Sequence, residues 1–158
     1  MGGTKDEVEE KIKLLVDNFI KRGKHIEVII VEDEESHVEL IEHSLTRVNL
    51  LTTVFSNGED FLDYIFYKKI PNQEYIIILD YLLPGASGKD VLISLKNNPT
   101  TNRIPVIVLT GYADQETIDE FYNLGCSFLV SKPATSSEFF KLIYEIGKIL
   151  SLISLPTN

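Results

Sequence analysis

The stretch IIILDYLLPG, residues 76–85, decides how this chain is read. Four apolar residues, Ile76 to Leu79, end on one carboxylate, Asp80, and the chain then breaks at Pro84-Gly85. A short apolar run rich in β-branched residues and bounded by a turn signal reads as a strand buried on both faces. Burial of the strand does not explain its last residue, because a buried carboxylate without a partner is costly. Asp80 needs other residues to meet it.

Working outward, the same alternation of apolar run and helical period recurs on both sides. HIEVIIVED (25–33) reads as a buried strand, and SHVELIEHSLTRV (36–48) follows with Val38, Ile41, Leu45 and Val48 at helical spacing and Ser36 as the expected N-cap. LLTTVFS is a short strand. Asn57-Gly58 marks a turn, and the next helix carries Phe61, Ile65 and Phe66 on one face. After EYIIILD come the helix GKDVLISLKNNP, stopped before Pro99, and the strand IPVIVLT. The helix opening at Asp114 closes on Gly125, a C-cap glycine; CSFLVSKP is a fifth strand and TSSEFFKLIYEIGKIL a last helix. Five βα units with nearly continuous apolar strands predict an α/β fold, a doubly wound five-stranded parallel sheet covered on both faces. In such sheets the working crevice lies at the carboxyl ends of the strands.

Those ends hold a set of residues. The first strand ends in Glu32-Asp33-Glu34, the third in Asp80, the fourth in Thr110 followed by Gly111, and the fifth in Lys132-Pro133. Clustered carboxylates repel one another unless a hard cation joins them, and an all-oxygen set suits Mg²⁺. A lysine adds positive charge where an anion would sit, and a threonine hydroxyl adds a neutral donor. A metal ion, an ammonium and a hydroxyl around one carboxylate are what phosphoryl transfer to that carboxylate requires.

In this order and at these strand ends, the residues resemble the receiver domain of two-component response regulators, over about residues 26–150. The resemblance implies a flavodoxin-like (βα)5 fold with Asp80 as phosphoacceptor. It implies a Mg²⁺ site in which Asp33 binds directly, Glu32 mostly through water, and the backbone carbonyl of Leu82 adds a further ligand. Thr110 would be the switch hydroxyl and Lys132 the phosphate contact, with a cis peptide between Lys132 and Pro133. LLPGASGKDVL (82–92) is similar to the family's loop and helix after the acceptor, with Pro84 and Gly88 in place. Within the family, the chain resembles the single-domain cyanobacterial phytochrome-partner regulators. One departure stands out: where the family often has Tyr or Phe, three residues before the lysine, this chain has Leu129, which puts an aromatic rotamer switch in doubt.

Composition narrows the function. The chain has 158 residues, 44% hydrophobic and 25% charged, with a net charge of −9. That balance argues against nucleic acid and anionic membrane as partners. The start MGGTKDEVEE is no secretory signal, and the single Cys126 fits a reducing cytoplasm and an inert, packed thiol. Within this length no DNA-binding effector is expected, so output by protein contact is. The expected function is a single-domain regulator that accepts phosphate from a sensor histidine kinase and acts on a downstream protein, not a turnover enzyme. The alternative is a phosphorelay intermediate that passes phosphate to a histidine phosphotransfer protein. A Mg²⁺-dependent aspartyl phosphatase would need a second acid about two residues past the nucleophile, where Leu82 stands. A degenerate scaffold is disfavoured by the intact Asp80, Asp33, Thr110 and Lys132.

Residues 1–25 form an extension to the domain at 26–158. Val8, Ile12, Leu15 and Phe19 make one apolar stripe, an amphipathic helix. It either covers its own domain, where the last helix has a broad apolar arc, or offers a homodimer or partner surface. His25, His37 and His43 read as surface residues, since nothing pairs with them at ligand spacing. Tyr81 and Tyr112 flank the expected site.

Overall fold

The computed structural model describes residues 26–48, 50–70 and 73–151, together with Glu10. The helix expected within residues 1–25 lies outside the described residues except for Glu10, which is helical and exposed. His25 lies outside them too.

The apolar runs form five strands: β1 (Ile26–Val31), β2 (Leu51–Phe55), β3 (Glu74–Asp80), β4 (Val106–Thr110) and β5 (Phe128–Ser131). The amphipathic periods between and after them form α1 (Glu35–Thr46), α2 (Gly58–Tyr67), α3 (Gly88–Lys96), α4 (Gln115–Leu124) and α5 (Ser136–Ser151). All strand pairs are parallel, in the order β2-β1-β3-β4-β5. This is the doubly wound, flavodoxin-like sheet, whose strand order reverses between β1 and β3.

Side chains alternate between two cores because strand periodicity is two. On one face Val28, Ile30, Ile76, Ile78, Ile107, Leu109 and Val130 pack against Ile41 and Leu45 of α1 and Phe139, Ile143 and Ile146 of α5. On the other, Ile29, Val31, Ile77, Leu79, Val106, Val108 and Leu129 meet Phe61 and Ile65 of α2, Val91 and Leu95 of α3, and Phe121 of α4. The broad apolar arc of α5 is taken up in part by α1, since Phe140 lies 5.8 Å from the His43 ring with the Arg47 guanidinium 5.7 Å from its centroid.

The helix ends show why these segments fold as they do. The Asn57 side chain accepts from Asp60 N–H at α2, and Ser87 and Asp90 form a reciprocal capping box at α3. Asp114 caps α4 by accepting from Thr117 N–H, and Gly125 closes that helix at φ 104°, a left-handed conformation that glycine adopts without penalty. One expected cap moves. α1 begins at Glu35 with Glu34 at the N-cap, and Ser36 lies inside the first turn. The Glu34 carbonyl already accepts from His37 N–H and Val38 N–H, both at 3.0 Å, so the helix starts ahead of the serine.

Candidate functional site

Register sets the site. Val31 pairs with Leu79, so the next residues, Glu32 and Asp80, leave β1 and β3 side by side at the point where the strand order reverses. Asp80 pairs with Leu109, and Thr110 with Ser131, which brings the end of β4 and Lys132 to the same edge. The edge is held by backbone bonds: Tyr81 N–H donates to Leu109 carbonyl at 2.8 Å and Lys132 N–H to Thr110 carbonyl at 2.7 Å. Gly88 presses on the end of β3. A Cβ there would run into the Asp80 carbonyl and approach Tyr81 Cα to 3.0 Å, so the loop can lie this close only with glycine.

The expected acids converge. Glu32, Asp33 and Asp80 each offer an oxygen, and the three atoms lie within 4.8 Å of one another. Glu32 and Asp80 are buried and Asp33 is exposed. The Lys132 ammonium answers them, 3.0 Å from Asp80 Oδ1 and 3.1 Å from Glu32 Oε2. Its negative neighbours nonetheless outnumber it. Burial first, and the Asp80 charge second, push the Glu32 carboxyl up to about 7, against the pull of Lys132 and of the Glu34 N–H. An all-oxygen cluster with excess negative charge fits a hard divalent cation.

Thr110 is buried at the end of β4, where its hydroxyl donates to the Tyr112 carbonyl at 2.7 Å. The side chains of Leu82 and Tyr112 are 71% and 78% exposed. Tyr81 instead leans inward, its ring 5.3 Å from that of Phe121. Leu129 is fully buried on the sheet face that also carries Val108, and its N–H donates to the Tyr122 hydroxyl at 3.2 Å.

Two expectations are corrected. The Lys132–Pro133 bond is not cis; no cis peptide occurs among the described residues. Trans is the intrinsically favoured isomer of an X-Pro bond, and Lys132 reaches both acids with the bond trans. His37 is not a detached surface residue. Its Nδ1 lies 3.0 Å from Lys132 Nζ, 3.3 Å from Glu34 Oε2 and 3.5 Å from Glu32 Oε1, and its ring stacks on Phe139 at 5.5 Å. The sequence signal was the i, i+3 pair Glu34–His37 in a helix that opens at a strand end; the lysine it meets is 95 residues away. His43 is on the surface as expected.

Comparison with known proteins places this arrangement. The family model for the response regulator receiver domain matches residues 28–144. Response regulator Rcp1 of Synechocystis is 26% identical over 136 residues, 82% of this chain and 92% of Rcp1. The solved Mn²⁺-bound form of Rcp1 shares the fold, with a TM-score of 0.67 at 24% identity over 75% of this chain and 88% of that one. The phosphorylated cyanobacterial phytochrome response regulator RcpA superposes with a TM-score of 0.70 at 27% identity, over 76% of this chain and 89% of RcpA. A receiver domain from Rhodospirillum rubrum gives 0.75 at 31% identity, over 82% and 96%. This chain belongs to the response regulator receiver domains of two-component signalling.

Proposed function

We propose that Asp80 accepts a phosphoryl group from a sensor histidine kinase and that the modified domain signals by binding a downstream protein. The observation that carries this reading is the Lys132 ammonium 3.0 Å from Asp80 Oδ1, inside a cluster of three carboxylates at the strand-order reversal. In the transfer, an Asp80 oxygen bonds to phosphorus as the bond from phosphorus to the donor's histidine nitrogen breaks, and the product is an acyl phosphate. Lys132 would meet charge on the transferred oxygens, the interaction that matters most in this chemistry. Thr110 would supply a hydroxyl donor once released from the Tyr112 carbonyl. Asp33, Glu32, Asp80 and the Leu82 carbonyl would hold Mg²⁺, which when bound neutralises the acids and the incoming phosphoryl oxygens. The relatives fit this reading, since RcpA was solved phosphorylated and Rcp1 with Mn²⁺. Asp80 is itself the group changed, so the domain acts as an acceptor and not as an enzyme that turns over a substrate.

The test is incubation with acetyl phosphate and Mg²⁺, followed by intact mass. Wild type should gain one phosphoryl group, and it should gain none with the metal chelated or in Asp80→Asn. Modification of Asp80→Asn to the wild-type extent would defeat the assignment.

A further inference from the structure

We infer that His37 is the positioning residue for Lys132: it holds the ammonium over the site when the carboxylates are engaged elsewhere. The inference rests on the reading of Asp80 as the phosphoacceptor.

An ammonium has three hydrogens to donate and nothing to accept with. Here all three have partners: Asp80 Oδ1 at 3.0 Å, Glu32 Oε2 at 3.1 Å and His37 Nδ1 at 3.0 Å. Two of these partners belong to the cluster that would bind a cation, and one of those is the atom group that would be phosphorylated. A cation drawing on Glu32 and Asp80 weakens both of their bonds to the lysine. The imidazole lies outside the set of Glu32, Asp33 and Asp80, although with Glu32 and Glu34 it makes a second group close enough to hold a cation; with the cation among the three acids, neither event claims it. It is therefore the partner that keeps a long, flexible side chain from swinging away while the phosphoryl group arrives.

His37 is itself held. Its ring lies nearly parallel to Phe139, 19° between planes, and Phe139 is buried in the α1–α5 core. Its backbone N–H is bonded to the Glu34 carbonyl at 3.0 Å in the first turn of α1. A fixed ring offering a fixed acceptor is what positioning requires, because small misplacements of a catalytic group are costly. The bond also dictates chemistry. Lysine can only donate, so a bond to it needs an Nδ1 without a proton; a ring carrying its hydrogen on Nδ1 would face Glu34 Oε2 at 3.3 Å and Glu32 Oε1 at 3.5 Å instead.

The experiment compares wild type with His37→Leu, His37→Asn and His43→Leu, all with acetyl phosphate and Mg²⁺. Leucine keeps bulk for stacking but accepts nothing, whereas the asparagine oxygen falls near the place of Nδ1. His37→Leu should slow phosphorylation at saturating phosphodonor by about 10-fold, with the half-saturating donor concentration little changed. His37→Asn should recover most of the rate, and His43→Leu, on the exposed face of the same helix, should match wild type. Unfolding curves confirm that each variant is folded. A long-range ¹H–¹⁵N spectrum of wild type in mildly alkaline buffer should show His37 as the Nε2–H form. If wild type is modified at Asp80 while His37→Leu reacts as fast, the role of His37 falls and the site reading stands. Equal slowing in His37→Leu and His37→Asn, or an Nδ1–H ring, also overturns it. If wild type takes no phosphoryl group, both inferences fall together.

Discussion

Strand β1 buries two glutamates at its opposite ends, and they live under different rules. Glu27, near the start, is 6% exposed, and Glu32, just past the end, is 1% exposed. Glu27 pairs in register with Tyr75 of β3 and accepts from the Thr53 hydroxyl of β2, and the Tyr64 phenol stands close by. Among the described residues its hydrogen-bond donor is a neutral hydroxyl. Burial, the hydrogen bond to Tyr75 and the Glu27 charge push the Tyr64 phenol up, as expected where a carboxylate sits among hydroxyls in a dry place. Glu32 has Asp80 and Asp33 beside it and one ammonium to share. The lesson is that burial alone does not make a carboxylate functional. At the start of β1 the polar groups satisfy one another, which stabilises the fold. At the end of β1 they leave negative charge over, which suits a cation.

The sharpest way to break this comparison is metal binding. At the β1 end, Asp33 stands exposed, where the proposed site would use it as a direct ligand, and Glu32 is tied to Lys132. Asp33→Asn should weaken Mg²⁺ binding by ~100-fold and Glu32→Gln by ~10-fold or less, on the scale of losing a ligand against losing a supporting group. Titration followed by Tyr81 fluorescence or by calorimetry reads both. Equal losses would erase the division of roles.

A smaller effect belongs to the other end. Thr53→Val keeps shape but removes the donor to Glu27, leaving a buried acceptor short of a partner. It should lower stability by about 1–3 kcal/mol in urea unfolding, with Mg²⁺ affinity and phosphorylation unchanged. A change in phosphorylation rate without loss of stability would contradict the separation of the two ends.

The last effect is in pH. Folding raises the Glu32 pKa from its ordinary 4.5 to about 7. A raised value means the folded state holds the proton more tightly than the unfolded chain. The stabilising contribution is whole below about 4.5, shrinks as pH climbs from there, and is gone above about 7. Metal-free protein should therefore lose stability across that window, and Glu32→Gln should flatten the loss. Added Mg²⁺ should restore stability at the alkaline side, where the ionised cluster can bind it. The same slope in wild type and Glu32→Gln would show that the group responsible lies elsewhere.

Much of this was legible in the residues because it depends on local period and on strand ends. The run Ile76–Leu79 needs two covered faces, and that need alone calls for helices on both sides of a parallel sheet. Asp33, Asp80, Thr110 and Lys132 were legible because each stands at or just past the carboxyl end of an apolar strand, and parallel strands finish at one edge. What was not legible depends on contacts distant in sequence. His37 looks like any polar residue on an amphipathic helix until β5 brings Lys132 to it. Glu27 looks like an anomaly in an apolar strand until β2 sets Thr53 two residues along from its register partner Leu51. The Lys132–Pro133 isomer is set by tertiary context, since both forms of an X-Pro bond are close in energy.

The measurement closest to the central claim is the position of the acyl phosphate. Treat the protein with acetyl phosphate and Mg²⁺, reduce with borohydride, digest, and map the reduced residue by mass spectrometry. The account predicts reduction at Asp80 and at neither Glu32 nor Asp33, although both acids lie within 4.8 Å of it. Reduction at Glu32 or Asp33, or at any carboxylate away from this cluster, would contradict it.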